Sequence, residues 1–286
     1  MKKGIGGRKK LKFSTTEKKK KRTRMIWIAI FSVIIFAIVS ASIATYVKEH
    51  PKSRSSNGQE SEITVTPVAQ MKEELTILFS GTKTNSKEIV FLSYITMNTV
   101  EKKFIVTCVP VTEKWQGKTF VEIYKPKNYK GTKPDDLVEA VSKKYDIKID
   151  RYLIVTEKIF KKFIGALGPY EIDLKTRINY NGEDFTLNLL KGPQKLTAEN
   201  FFKYIRFMGL GDSNYNLEKQ AEVIADFLSQ KISEKNMEKG DDIFSALINA
   251  SENNITIVDY TKYKTFLTDI SKEPRNVETS LPRVAE

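Results

Sequence analysis

The 286-residue chain contains 48 Lys and Arg against 35 Asp and Glu, which gives a formal net charge of +13, and it has one histidine and one cysteine. With only His50, the body of the protein cannot contain a Ser-His-Asp triad, a Cys-His pair or histidine-ligated zinc. With only Cys108, no intramolecular disulfide can form, and a buried small apolar role is expected for this residue. Chemistry must therefore use carboxylates, Arg, Lys, Tyr, hydroxyl groups or metals bound through oxygen.

The positive charge is concentrated at the start of the chain. Residues 1–24 contain 12 Lys or Arg and one acid, Glu17, so they carry +11 of the total. Residues 25–47, MIWIAIFSVIIFAIVSASIATYV, are uncharged and mostly apolar. About 20 such residues cross a bilayer as a helix, and flanking Lys and Arg stay cytoplasmic. The pattern predicts a single-pass anchor in the cell membrane, with a cytoplasmic N-terminus and an extracytoplasmic body.

Two alternatives for this segment stay open. Ser42-Ile43-Ala44 resembles a cleavage site, which would make the segment a signal peptide, but the apolar run is longer than the 7–15 residues typical of a signal core. A buried core helix is disfavoured by the length and lack of charge. The basic tail could bind nucleic acid, but it adjoins the apolar run and Phe13 is its only interleaved aromatic. We therefore expect the membrane, and no nucleic acid, as its partner.

A change of composition follows the apolar run. Residues 48–70 are polar, contain prolines and show no apolar periodicity, which is typical of a flexible tether. Residues 71–271 have the size of one globular domain and contain no internal repeat. Residues 272–286 are expected to be a disordered tail.

The domain alternates strands and helices. Its predicted strands are 75–80, 88–97, 103–109, 120–124 at an edge, 152–156, 170–174, 185–190 and 255–260. Helices are predicted from Pro134 onward and over 157–167, 198–208, 217–233, 243–248 and 263–270. Thr156 and Thr197 are expected N-caps. The order predicts an α/β fold, a single three-layer α/β/α domain with a mixed central sheet.

The order of elements resembles the LytR-CpsA-Psr family of cell-envelope proteins. The likeness covers residues 75–270 and rests on segments spread over them: TILFSGT, EIVFLSYITMNTVEKKFIVTCVP, YDIKIDRYLIVTEKIFKKFIGALGPYEIDL, FTLNLLKGPQKLTAENFFKYIRF and the Gln of LEKQAEVI. The resemblance implies a membrane-anchored, outward-facing protein that moves glycopolymers from a polyprenyl-pyrophosphate carrier to peptidoglycan. It also implies an apolar tunnel for the lipid, with Arg residues and an Asp-bound Mg²⁺ at the pyrophosphate.

This chain departs from the family pattern at the metal. Asn85-Ser86-Lys87 stands where the family has Arg-Ser-Asp, and Pro110-Val111-Thr112 stands where it has Pro-Arg-Asp. Both Mg²⁺ ligand positions are therefore lost, and we assign no metal ligands. Glu88 and Glu113 each lie one residue away, but on an extended chain that shift turns the side chain to the opposite face.

The resemblance nevertheless leaves a set of candidate site residues. It implies Arg206 and Gln220 as catalytic residues and Arg206, Lys219 and Asp212 as substrate-binding residues, while Met208 replaces a second family Arg. Lys87 is a further substrate-binding candidate, because it would supply a cation where the family has its metal. These residues form either a residual phosphate site or an ordinary ion pair of Arg206 and a loop cap by Gln220. Six phenylalanines are plain core or line a tunnel: Phe160, Phe163, Phe201, Phe202, Phe207 and Phe227.

Three functions remain open from the sequence. The protein is a divergent glycopolymer transferase, a catalytically degenerate member that binds a lipid-linked or wall component as a scaffold or regulator, or a transcription attenuator. The predicted topology argues against the third, because the body lies across the membrane from DNA.

Overall fold

A computed structural model describes residues 73–125, 127, 130–272 and 277–284. The predicted basic tail, membrane anchor and tether over residues 1–70 lie outside the described residues. Among the helices that are described, none has the length and apolar character needed to cross a bilayer. All described residues belong to the unit Pro67–Glu286.

The described part of the chain contains twelve strands, six of which form the central sheet. The strands are β1 Glu74–Thr82, β2 Ile89–Asn98, β3 Lys103–Val109, β4 Lys114–Trp115, β5 Lys118–Thr119, β6 Arg151–Thr156, β7 Tyr170–Leu174, β8 Ile178–Asn181, β9 Thr186–Leu189, β10 Gly192–Leu196, β11 Glu252–Asn253 and β12 Val277–Thr279. The remaining strands pair as hairpins β4–β5 and β8–β9 and as the two-stranded sheet β7–β10.

Eight helices are described in the same residues. They are α1 Phe120–Tyr124, α2 Pro134–Tyr145, α3 Glu157–Leu167, α4 Ala198–Met208, α5 Asn214–Lys231, α6 Glu234–Met237, α7 Gly240–Ala250 and α8 Ile257–Ile270. The expected N-caps are confirmed, because the Thr156 and Thr197 hydroxyls accept hydrogen bonds from the third backbone N–H of α3 and α4. Such caps satisfy donors that the first helical turn leaves unpaired.

The central sheet has the order β11-β6-β1-β2-β3-β12. Strand β1 is parallel to β6 and antiparallel to β2, which is antiparallel to β3, and β3 is parallel to β12. The sheet is therefore mixed, as predicted. Strands β1, β3, β6 and β12 run in one direction, so their carboxyl ends meet at one edge of the sheet, which we call the carboxyl edge.

Helices pack on both faces of this sheet because successive side chains of a buried strand point to opposite faces. On one face Leu78 and Leu92 join a buried cluster with α1 and α2. On the other face Phe91 and Cys108 join a cluster with α3, α4 and α5, and Leu75 packs with α8. The domain is thus an α/β fold with a mixed central sheet. Cys108 is 1% exposed, as expected, and burial raises the pKa of its thiol.

The strand predicted over residues 120–124 is wrong, because this segment is helix α1. The Thr119 hydroxyl accepts from the Glu122 backbone N–H, while the Glu122 carboxylate accepts from the Thr119 N–H. This reciprocal capping box starts the helix. Phe120 and Tyr124, four residues apart, both lie in the core.

Two further expectations near the C-terminus are corrected. Residues 255–260 were expected to be extended, but a second capping box between Thr256 and Asp259 starts α8 at Ile257. The disordered tail predicted over residues 272–286 is wrong for Val277–Thr279, which form β12 and pair in parallel with β3. Strand β12 covers an edge of the sheet that would otherwise expose unpaired backbone groups.

Candidate functional site

A tight loop at the carboxyl edge positions the first charged residue of the site. Lys83 directly follows β1 and Glu88 directly precedes β2, and the Lys83 N–H donates to the Glu88 carbonyl at 2.9 Å. The Lys87 N–H donates back to the Lys83 carbonyl at 3.0 Å, with Lys87 at a φ of 59°. The Thr84 hydroxyl accepts from the Lys158 N–H at the start of α3. The Lys83 side chain is therefore held where the parallel strands β1 and β6 end.

Lys83 lies between two carboxylates. Its Nζ is 2.8 Å from Asp184 Oδ2, in the β8–β9 connection, and 3.0 Å from Glu88 Oε2. Burial disfavours the charge of Lys83, but the hydrogen bonds to Asp184 and Glu88 outweigh it and raise the lysine pKa. The same contact with Lys83 lowers the pKa of Asp184. Both partners of this contact therefore stay charged at neutral pH.

Arg206 adds a second cation beside the same carboxylate. It lies in the last turn of α4, with Nη2 3.3 Å from Asp184 Oδ2 and Cζ 4.3 Å above the centre of the Phe185 ring. Burial lowers the pKa of Arg206, yet a guanidinium remains protonated in proteins. The Phe185 ring and the Asp184 carboxylate together hold the guanidinium in place.

We call Lys83, Glu88, Asp184 and Arg206 the charged cluster. The side chains of its cations are the more buried members, 26% exposed for Lys83 and 11% for Arg206, whereas Glu88 is 45% and Asp184 58% exposed. An ion pair with such exposed carboxylates contributes little to stability. An anionic ligand can therefore compete with the acids for the cations at small cost to the fold.

The other candidate residues are not brought to Arg206. The Lys87 side chain is exposed on its loop. Asp212, at a φ of 50°, accepts a hydrogen bond from the Thr112 hydroxyl. Lys219 donates to Glu222 at 2.7 Å. Within the described ranges, no hydrogen bond or ion pair joins these three candidates to Arg206.

Gln220 lies under the junction of α4 and α5. Its side chain is 3% exposed, and Nε2 donates to the Ile205 carbonyl at 2.9 Å. A Cβ at Gly209 would lie 2.2 Å from this nitrogen, so the glycine leaves the space that the amide occupies. In this structure the Gln220 amide is used to join two helices.

Sequence reasoning missed Lys83 and Asp184. Lys83 carried one signal, because a charged residue directly after a buried strand lies at the edge where α/β sheets bind ligands. Asp184 carried none, because the β8–β9 connection is separated from β1 by about a hundred residues and only folding brings them together.

The residues present do not fit Mg²⁺ at the positions that the family resemblance implies. Lys87 offers an ammonium and Thr112 a hydroxyl, whereas Mg²⁺ prefers carboxylate oxygens. The neighbouring acids are held by lysines, Glu88 by Lys83 and Glu113 by Lys144 at 3.1 Å. In the described part of the chain, no group of three or more His, Cys, Asp or Glu could hold a metal ion.

An apolar cavity of about 310 Å³ lies at the opposite edge of the sheet. Its walls include Leu75 and Ile77 at the start of β1, Phe163 of α3 and Phe227 of α5, and α7 and α8 complete them. This volume is at the lower end for small-molecule pockets. Of the six phenylalanines considered from the sequence, Phe163 and Phe227 line this cavity.

Packed aromatic rings separate the cavity from the charged cluster. Phe91, Phe160 and Phe202 are at most 3% exposed, and their ring centres lie 5.2–6.5 Å apart. Lys83 follows the cavity-lining Ile77 by six positions along the extended chain, which corresponds to about 20 Å. The two features are therefore distinct in this conformation.

Comparisons with known proteins agree on the fold. A putative transcription regulator from Eubacterium siraeum has a TM-score of 0.64 and 17% identity, over 80% of this chain and 90% of that chain. B. subtilis TagV has a TM-score of 0.58 and 21% identity, over 74% and 85%. TagT, solved bound to LI-WTA, has a TM-score of 0.52 and 16% identity, over 73% and 79%.

Among curated protein sequences, none matches this chain. The LytR_cpsA_psr family matches residues 36–281, well over half of the 286 residues. The chain belongs to the LytR-CpsA-Psr family.

Proposed function

We propose that this protein acts in the transfer of glycopolymers to the cell wall, with the charged cluster holding the phosphate groups of a polyprenyl-linked glycopolymer. The observation that carries the proposal is the contact of both Lys83 and Arg206 with the same oxygen of the exposed Asp184 carboxylate. Family membership supplies the context, and the TagT structure was solved with LI-WTA bound.

Two fixed cations suit the chemistry of phosphoryl transfer, because the leaving phosphate gains negative charge. An acceptor oxygen of peptidoglycan forms a bond to the phosphorus that carries the glycopolymer, and the bond from that phosphorus to the lipid phosphate breaks. The lipid phosphate leaves with the bonding electrons, so negative charge grows there. Arg206 can donate several coplanar N–H groups to the leaving phosphate, and Lys83 can place its positive charge beside it. Glu88 and Asp184 are the carboxylates in the cluster that can accept the acceptor's proton.

The apolar cavity suits the hydrocarbon chain of the carrier, and a carrier that occupies both the cavity and the charged cluster requires the packed rings of Phe91, Phe160 and Phe202 to move apart. Among its lining residues Asp259 is paired with Arg151 at 2.8 Å, and Lys231 donates to the Pro169 carbonyl. The remaining walls are almost wholly apolar, which suits an uncharged chain. We place the protein in the cell membrane through residues 25–47, with the domain outside the cytoplasm and peptidoglycan as the acceptor.

The second candidate is a family member that binds a lipid-linked or wall component without transferring it. Two observations favour it: the lost carboxylates at Lys87 and Thr112, and the packed rings between cavity and cluster. A role in transcription is disfavoured by the proposed location of the domain.

Complementation of a strain that lacks this chain separates the two candidates. Arg206→Ala and Lys83→Ala are expected to abolish the attachment of phosphate-containing polymer to purified cell wall at a normal protein level. Arg177→Ala is the matched control, because Arg177 directly precedes β8 and donates a hydrogen bond to Asn188 of β9 outside the cluster. Full attachment with both cluster variants would reject the transfer site, and retained binding of the polymer by those variants would support the second candidate.

A further inference from the structure

A second pocket lies on the other face of the sheet, beside α1 and α2. The β4–β5 hairpin turns through Gln116 and Gly117, both with positive φ, and Trp115, directly before this turn, lines the pocket. Trp115 is half-buried, with one part packed against the core on this face of the sheet. The pocket has a volume of about 360 Å³. That volume accommodates a small ring-shaped ligand.

The lining of this pocket is polar and of mixed charge. Besides Trp115 it is formed mainly by Lys118, Glu122, Lys133, Asp136 and Glu139. Two lysines against three carboxylates leave a formal charge of −1, so the pocket does not favour a polyanion. The charged cluster has two cations and two carboxylates, and both of its cations contact Asp184, so it is chemically different.

The available groups suit hydroxyl-bearing ligands. The side chains of Asp136 and Glu139 are 53% and 66% exposed, so their oxygens can accept hydrogen bonds from a ligand. The exposed Lys118 ammonium and Gln116 amide can donate. Sugar hydroxyls both donate and accept, and the C–H face of a sugar ring packs against the flat apolar face of an indole.

We propose that the pocket at Trp115 binds uncharged sugar rings of a glycan. The proposal rests on the aromatic platform, the mixed polar lining and the near-neutral charge, and it does not require the transfer reaction proposed above. Helix α1 links the two regions, because Glu122 and Ile123 line the pocket while Lys125, just after the helix, donates to the Ser86 carbonyl in the Lys83 loop. Helix α1 therefore connects the pocket at Trp115 to the loop that carries Lys83.

Tryptophan fluorescence gives a direct test with the full chain in detergent micelles. The chain contains two tryptophans, so Trp27→Phe leaves Trp115 as the only emitter. Titration with an uncharged oligosaccharide of N-acetylhexosamines is expected to shift or quench this emission with saturation. In calorimetry, Trp115→Ala is expected to weaken binding at least tenfold, as expected when an aromatic anchor is lost. Glu139→Gln, a change at an exposed side chain, tests the polar lining without disturbing the core.

Controls separate this site from the charged cluster and from unfolding. Tyr215→Ala removes an exposed aromatic outside the pocket and is expected to leave binding unchanged. Trp115→Phe keeps an apolar ring and is expected to retain part of the affinity. Arg206→Ala is expected to bind the oligosaccharide normally, whatever its effect on transfer. Absence of saturable binding up to about 10 mM, equal binding by Trp115→Ala, or displacement by pyrophosphate would each overturn the proposal.

Discussion

The Lys83 ammonium lies 2.8 Å from the Asp184 carboxylate across a sequence separation of 101 residues. This contact brings the end of β1 to the β8–β9 hairpin, and Arg206 approaches the same oxygen from α4. Both cations of the cluster thus contact one acid that is itself 58% exposed, and Glu88 supplies the second negative charge. Removal of the Asp184 charge should therefore increase the affinity of the cluster for anionic ligands.

Asp184→Asn is expected to strengthen the binding of inorganic pyrophosphate. The asparagine keeps the shape of the side chain but removes the negative charge that competes with the ligand, and a gain of about three- to tenfold is expected for one partly screened charge. Calorimetric titration at two salt concentrations measures the gain, which should shrink at the higher concentration.

The comparison for this variant is Asp173→Asn, which removes an exposed acid paired with Lys175 outside the cluster. It should leave pyrophosphate affinity unchanged. Lys83→Met should lower the affinity in either background. If Asp184→Asn bound pyrophosphate no better than the unmodified protein, the cluster would be an ordinary surface ion network.

The Arg151–Asp259 pair predicts a pH dependence of stability. Burial opposes the charge of Asp259, but two hydrogen bonds of 2.8 Å from Arg151 outweigh it and lower the pKa of the carboxyl to about 2. Because this pKa lies below the unfolded value of about 3.9, the stabilisation is present above pH 4 and is lost as the pH falls towards 2. Asp259→Asn should therefore lower the free energy of unfolding by about 2 kcal/mol at pH 7 and by little near pH 2.

Denaturant unfolding over this pH range measures the effect. Asp241→Asn is the matched control, because Asp241 also pairs with a cation, Lys264, but its side chain is 67% exposed. At neutral pH, Asp241→Asn should lower the free energy of unfolding by less than Asp259→Asn does. Equal losses for both variants, or a loss for Asp259→Asn that persists at pH 2, would contradict the assignment.

The contact between Gly209 and Gln220 predicts coupled stability effects. Gly209→Ala should displace the Gln220 amide, which lies 2.2 Å from the position of the new methyl, and should leave the Ile205 carbonyl without its donor. The free energy of unfolding is expected to fall by about 1–3 kcal/mol, because the buried Ile205 carbonyl loses its hydrogen bond. Gln220→Ala removes the same bond and also empties the space.

The two substitutions should therefore be strongly non-additive. Gly209→Ala in the Gln220→Ala background should cost much less than in the native chain, because its steric conflict has gone. Unfolding of the four variants measures the coupling. Additive losses would show that the amide does not fill this space, and a normal stability with lost wall attachment in Gln220→Ala would favour the catalytic role expected from the sequence.

Filling the apolar cavity should block a bound hydrocarbon chain. Ile77→Trp adds a large side chain at the cavity wall and is expected to abolish saturable binding of a fluorescent isoprenoid alcohol at a stability cost of about 1–3 kcal/mol. Ile77→Val, which enlarges the cavity slightly, is the control and should keep binding. Unchanged binding by Ile77→Trp would place the chain elsewhere.

Most of the elements and the mixed sheet were predictable from sequence, because the signals that define them are local. Apolar runs defined β1, β2 and β3, and threonine caps with helical spacing defined α3 and α4. Two of the three corrected segments, residues 120–124 and 255–260, are short β-like runs that follow or contain a capping threonine. At both segments the hydrogen bonds of the capping box outweighed strand propensity, and at residues 120–124 the burial of Phe120 and Tyr124 added to them.

The site depended on contacts that no local pattern specifies. The sequence pointed to Arg206 through the family resemblance, but it also grouped Arg206 with Lys219, Asp212 and Lys87, whose side chains the fold directs to other partners or to solvent. Membership of the cluster was decided by tertiary structure, since Asp184 meets Lys83 only when the hairpin packs against the carboxyl edge. Local residue patterns determined the helices and strands and their order along the chain. Which charged residues pair was determined by tertiary packing, because it brings together side chains from elements that are distant in sequence.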